Sequence, residues 1–160
     1  MSSWFACLRE RLGCRSGDLA PLYFEDVATP YSLSRKYFEA AAVLRKTPPV
    51  RLGYSMVTYY LAGHAAELDL RSFLYKYGET IDFLVRRCGY DLKRVVRSAR
   101  RKGLPDSILT KHIQGFAKSY KRKHTEYRRK QPIGLSPLDS LLSEIANLQS
   151  QVFHSIWEHF

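Results

Sequence analysis

The chain has 160 residues, enough for one domain of ordinary size. Such a domain buries roughly two-thirds of its unfolded surface, so it requires neither disulfides nor a structural metal. An apolar content of 45% with 13% aromatic residues excludes a disordered chain. The net charge of +11 is segregated: residues 86–130 hold 16 of the 26 bases against only Asp91, Asp106 and Glu126, so that segment carries +13 and the rest −2.

In chain order, Trp4 to Leu12 reads as a short helix closed by Gly13, within an N-terminal region of residues 1–32 that is otherwise mostly loop. The start reaches Arg9 and Glu10 before any apolar core of a secretory signal forms. Ser32 or Ser34 is expected to cap a helix running to about Lys46, with Tyr37, Phe38, Ala41 and Leu44 inward, stopped by Thr47-Pro48-Pro49. A long helix from about Val50 to Tyr77 is apolar around most of its circumference and should be surrounded by others, with Gly78 ending it. Its most apolar run, Tyr54 to Leu70, carries His64, Glu67 and Asp69 and falls short of the ~20 residues of a membrane span. No membrane partner is expected.

A turn of helix over Ile81 to Arg87 precedes Gly89. Asp91 then leads a basic helix to Lys102, with Leu92, Val95, Val96 and Ala99 as its inner stripe and Lys93, Arg94, Arg97, Arg100 and Arg101 outward. Gly103-Leu104-Pro105 closes it. A further helix, about Asp106 to Tyr120, presents Ile108, Leu109, Ile113 and Phe116. Lys121 to Gly134 reads as an exposed loop. Pro137 opens a last helix to about His159, striped by Leu138, Leu141, Leu142, Ile145, Leu148, Val152 and Ile156. No run alternates apolar and polar residues as a strand would. The expected fold is all-α, an up-and-down bundle of five to six helices forming a single domain over residues 33–160.

Few residues suggest chemistry. Glu67 and Arg71 stand four apart on the most apolar helix, a spacing that allows an ion pair, with His64 one turn before them. They either fix how the bundle packs or line a polar pocket in which His64 and Glu67 are acid/base candidates. One His-x-x-Glu pair without a second does not make a metal site. Cys7, Cys14 and Cys88 show no paired spacing and read as idle thiols of a reducing cytoplasm. Walker, GxGxxG, GxSxG and HExxH motifs are missing, and no cofactor is expected.

The basic field either attracts polyanions or only confers solubility. Within it, Lys118 to Lys130 interleaves Tyr120, Tyr127 and His124 with cations, a pattern suited to phosphates and to stacking on unpaired bases.

The order of a Tyr-Phe-x-Ala-Ala helix at 37–41, Ala66-Glu67-Leu68-Asp69-Leu70-Arg71 on the long helix, Gly89-Tyr90-Asp91-Leu92-Lys93-Arg94, then Ala99 and Gly103-Leu104 resembles HEPN-domain proteins over about residues 34–130. Arg71 stands where the family commonly has Lys, and Tyr90 where it has His. The resemblance implies a dimer-forming helical bundle, tied to RNA cleavage or to nucleotidyltransferase partners in defence and toxin–antitoxin systems. Its ribonuclease branch needs an Arg followed, after four to six intervening residues, by a His. None of His64, His112, His124, His154 and His159 has one; Lys118 precedes His124 at that distance but lacks the planar guanidinium fork. The expectation is a non-catalytic cytoplasmic binder, a homodimer holding RNA, other nucleic acid or a nucleotide on Arg94, Arg97, Arg101, Lys121, Arg122 and Arg128. Two alternatives stand beside it. One is a divergent ribonuclease using His124 with Arg122 or Arg128. The other is an adaptor for an acidic protein or a nucleotidyltransferase, with Trp157 and Phe160 as anchors or as core.

Overall fold

The apolar stripes become helices in the computed structural model, which describes residues 27–47, 56–108, 110–122 and 135–157. They are α1 (Ala28–Arg45), α2 (Met56–Lys76), α3 (Ile81–Phe83, running on as a π turn over Leu84–Cys88), α4 (Leu92–Arg101), α5 (Lys111–Lys121) and α6 (Leu138–Trp157). No strand occurs among the described residues, and the architecture is an all-α bundle. The helix expected at Trp4 to Leu12, the prolines after Thr47, and the polar loop beyond Arg122 lie outside the described residues.

Helix α2 is the hub, with α1, α4, α5 and α6 all packed on it. Its circumference explains why: Ala62, Ala65, Leu70 and Leu74 are fully buried, and Ala66 and Phe73 almost so. The expected stripes of α4 and α6 pack as read. Leu92, Val95, Val96 and Ala99 are at most 2% exposed, as are Leu141, Ile145, Leu148, Val152 and Ile156. Burying a Leu or Ile of this kind stabilises by about 1.5–3 kcal/mol. Among the described residues no helix is long and apolar enough to cross a membrane.

Two helix starts differ from expectation. Helix α1 begins at Ala28, before Ser32 and Ser34, with Pro30 inside its first turn. A proline is tolerated there because the first-turn N–H groups have no intrahelical partner. Ser34 is therefore not a cap: it is fully buried and donates to the Ala65 carbonyl at 3.0 Å, tying α1 to α2. Helix α5 begins at Lys111 rather than near Asp106. Its opening N–H groups are met from another helix: Glu144 of α6, 6% exposed, accepts from His112 N at 2.8 Å and Ile113 N at 3.0 Å. A carboxylate at a helix N-terminus suits both the orphan donors and the dipole.

Gly78 and Gly103 end α2 and α4 at φ +84° and +98°. In each case the following residue's N–H bonds back across the last turn, Glu79 to Leu74 O and Leu104 to Ala99 O, both at 3.0 Å. A side chain at either φ would be strained. The stop at Gly78 sets where the chain leaves α2, and the stop at Gly103 where it leaves the basic helix.

Candidate functional site

The hub helix carries charged groups inside the bundle, and Glu67 and Arg71 pair there in one cluster with His64 and Tyr120. Glu67 is 2% exposed. Its Oε1 meets an Arg71 guanidinium nitrogen at 2.5 Å, and its Oε2 accepts from the Tyr120 hydroxyl at 2.6 Å. His64 Nδ1 lies 3.1 Å from the Tyr120 oxygen and 3.8 Å from Glu67 Oε2. Tyr120 has one proton and gives it to Glu67, so its oxygen accepts from His64 Nδ1–H. Arg71 also donates to Gly89 O at 2.9 Å, reaching the turn that precedes α4. Its Nε is buried without a partner.

Burial pushes the Glu67 carboxyl upward, but the adjacent His64 ring, the Arg71 charge and the Tyr120 hydroxyl outweigh burial and hold it below the usual range. Burial and the Glu67 charge drive the Tyr120 phenol far up, so it remains a donor at any physiological pH. With both carboxylate oxygens occupied, the cluster ties α2 to α5 and to the turn at Gly89. Gly63 makes room for it: a Cβ there would lie 2.6 Å from ring atoms of both Phe116 and Tyr120. His64 also packs edge-on against Tyr37 at 4.6 Å and is stacked with Tyr60 at 5.8 Å.

A second buried carboxyl lies farther along α2. Asp69 is fully buried and neither of its oxygens has a hydrogen-bond partner. Ser34 of α1 and Gln149 of α6 are close enough to favour its charged form somewhat. Yet the Ser34 proton goes to Ala65 O, and Gln149 Nε2 donates to Ser34 Oγ at 2.8 Å. Burial dominates and raises the Asp69 carboxyl well above its ordinary value.

The basic helix begins next to the Glu67 cluster. Asp91 caps α4 by accepting from Arg94 N at 3.3 Å, and its other oxygen takes Lys121 Nζ at 2.7 Å. Burial would raise the Asp91 carboxyl, but Lys121 and Arg94 hold it low. The ten residues of α4 include Lys93, Arg94, Arg97, Arg100 and Arg101 and no acid.

Arg100 differs from the outward position expected for it. It is 28% exposed, pairs with Asp106 and donates to Ile108 O and Thr110 Oγ1, so it closes the 104–110 turn. Lys93, Arg94, Arg97 and Arg101 are exposed. Among the described residues, Lys93, Arg97 and Arg101 have no acidic partner, whereas Arg94 and Lys121 share Asp91. Lys93 and Arg101 are two turns apart, roughly 12 Å along the axis, with Arg97 midway. Arg122 is exposed at the end of α5. His124, Tyr127 and Arg128 lie outside the described residues.

Tyr120, grouped by sequence context with surface cations, is 4% exposed and belongs to the buried cluster. Its signal was the helical spacing Ile113, Phe116, Tyr120. Trp157 is 44% exposed and beside Phe153, itself 42% exposed, so it is not a core residue. Cys88 is a buried free thiol that burial pushes upward. No group of three or more His, Cys, Asp or Glu is placed to hold a metal among the described residues. No protein-family model, no curated protein and no solved structure matches the chain.

Proposed function

We propose that the chain is a HEPN-like helical module without nuclease chemistry that binds nucleic acid or a nucleotide on the outer face of α4. The observation that carries the reading is the row Lys93, Arg97 and Arg101: exposed, aligned, and without an acidic partner among the described residues. Exposed cations that no acid neutralises are the readiest to displace counterions from phosphates. Arg94, Lys121 and Arg122 extend the row around the start of α4. The resemblance to HEPN-domain proteins adds a homodimer to this reading, and the cysteines, which show no paired spacing, add a cytoplasmic location.

Replacing Arg97 and Arg101 together with Glu tests it. Both residues are exposed, so the thermal midpoint should stay within a few degrees while affinity for single-stranded RNA falls at least tenfold at about 0.1 M salt. Unchanged affinity in a folded variant means that α4 is not the site.

A second reading, an adaptor for an acidic protein, draws on Phe153 and Trp157. They form an exposed aromatic pair on α6, with Tyr31 beside Phe153 at 5.9 Å. Exposed aromatic residues of this kind are common interface anchors. A nuclease-resistant complex with an acidic protein that is lost in Trp157→Ala would favour it.

A further inference from the structure

The turn between the π segment and α4 presents an aromatic ring where cations converge. Tyr90 is 48% exposed. The segment around it makes three polar contacts: Arg71 donates to Gly89 O at 2.9 Å, Lys121 reaches the Asp91 carboxylate at 2.7 Å, and an Arg94 guanidinium nitrogen donates to Arg87 O at 3.3 Å. Arg94 and Lys121 therefore meet at the Asp91 carboxylate, one residue from Tyr90, and Arg87 lies three residues before it. An exposed ring beside cations suits a flat apolar group flanked by negative charges, which is an unstacked base within a phosphate chain.

We propose that Tyr90 is a stacking platform for an unpaired base of a single-stranded nucleic acid whose flanking phosphates lie on Arg87, Arg94 and Lys121. The inference rests on the reading of α4 as a phosphate-binding face and adds the strand state of the ligand and the residue that senses it. A duplex keeps its base faces stacked inside and cannot offer one to Tyr90. Phe116 and Tyr120, the other Phe and Tyr in this basic stretch among the described residues, cannot serve: both rings are buried, and the Tyr120 hydroxyl is committed to Glu67.

The test compares three labelled probes by fluorescence anisotropy: a twelve-unit oligothymidylate, an abasic deoxyribose-phosphate strand of the same length, and a duplex of that length. Wild-type protein should bind the thymidylate about 5- to 100-fold tighter than the abasic strand, the range base–aromatic stacking gives. Tyr90→Ala should lose that preference while keeping its affinity for the abasic strand, and Tyr90→Phe should keep both. Equal binding of thymidylate and abasic strand by wild type overturns the proposal without using any variant. So does tighter binding of the duplex, or a Tyr90→Phe protein that behaves like Tyr90→Ala. If Tyr90→Ala binds thymidylate as wild type does while Arg97→Glu/Arg101→Glu does not, stacking fails and the α4 reading stands. If wild type binds none of the three probes, both fall.

Discussion

Replacing Asp69 with Asn should stabilise the protein at neutral pH and destabilise it by about 1–2 kcal/mol near pH 4. Asp69 is fully buried, its oxygens receive no hydrogen bond, and burial raises its folded pKa well above the ordinary 3.8. The charged groups facing it are few. From α1 there are Arg35, which is exposed and near Glu39 at 3.6 Å, and Tyr31, whose phenol burial drives upward; α6 contributes the neutral Gln149.

The folded state therefore binds a proton that the unfolded chain releases as pH rises through 3.8. The stability tied to that proton is complete below the unfolded value and is lost as pH rises toward the folded value. At pH 7 the loss cannot exceed 1.36 kcal/mol for each of the pH units between 3.8 and 7, or about 4 kcal/mol. Asn removes the titration but buries an amide whose unmet donors cost about 1–3 kcal/mol. The net gain at pH 7 should be on the order of 1–3 kcal/mol, shrinking steadily and changing sign toward pH 4. Urea unfolding of both proteins from pH 4 to pH 8 measures it, and other titrating groups cancel in the difference. A stability difference that does not change with pH would refute the reasoning, because it would mean that Asp69 carries no proton that the unfolded chain lacks.

Glu67→Gln should cost about 3–5 kcal/mol, because it leaves the Arg71 charge uncompensated inside the bundle; Glu67→Gln combined with Arg71→Met should recover part of the loss in the same unfolding assay. Because Glu67 titrates below its usual range, its contribution is present above the unfolded pKa and lost as pH falls through the folded value, so wild type should lose more stability than Glu67→Gln on acidification below pH 4. Glu144→Ala should cost about 1–2 kcal/mol by uncapping α5, while Glu144→Gln, which keeps an acceptor, should cost less; amide exchange at His112 and Ile113 reads this directly. Gly63→Ala should lower stability by about 1–3 kcal/mol, since Phe116 and Tyr120 must move, and calorimetry should show the drop.

What the sequence disclosed follows from which interactions are local. The stripes of α4 and α6 repeat at helical spacing over several turns, and each of their stripe residues packs against the core. Asp91 and Gly103 act within a few residues of their own positions, so the start and stop of α4 were legible too. The start of α1 was not legible because Pro30, ordinarily a break signal, falls in its first turn, where a proline is tolerated. Helix α5 opens at Lys111 because of a carboxylate 31 or more residues away, which no local pattern carries. The Glu67–Arg71 pairing was visible as a spacing. The third member, Tyr120, comes from another helix and was hidden by the lysines and arginines beside it. Asp69 left no mark beyond being a charge in an apolar run, because what distinguishes it is the lack of a partner in three dimensions. The exposure of Tyr90 likewise depends on how the turn is tethered.

The central claim, that α4 and its flanks hold phosphates, is tested most directly by the salt dependence of binding. Labelled single-stranded RNA would be titrated with wild type and with Arg97→Glu/Arg101→Glu between 50 and 300 mM salt, and the probe run on a gel afterwards. Each phosphate contact to a single strand adds about −0.7 to the slope of log K against log salt, so five contacts at Arg94, Arg97, Arg101, Lys121 and Arg122 give roughly −3.5. The variant's slope should be shallower by at least about 1.4, with the probe intact in both cases. Equal slopes for the two proteins, or no binding by wild type at 50 mM, would contradict the claim.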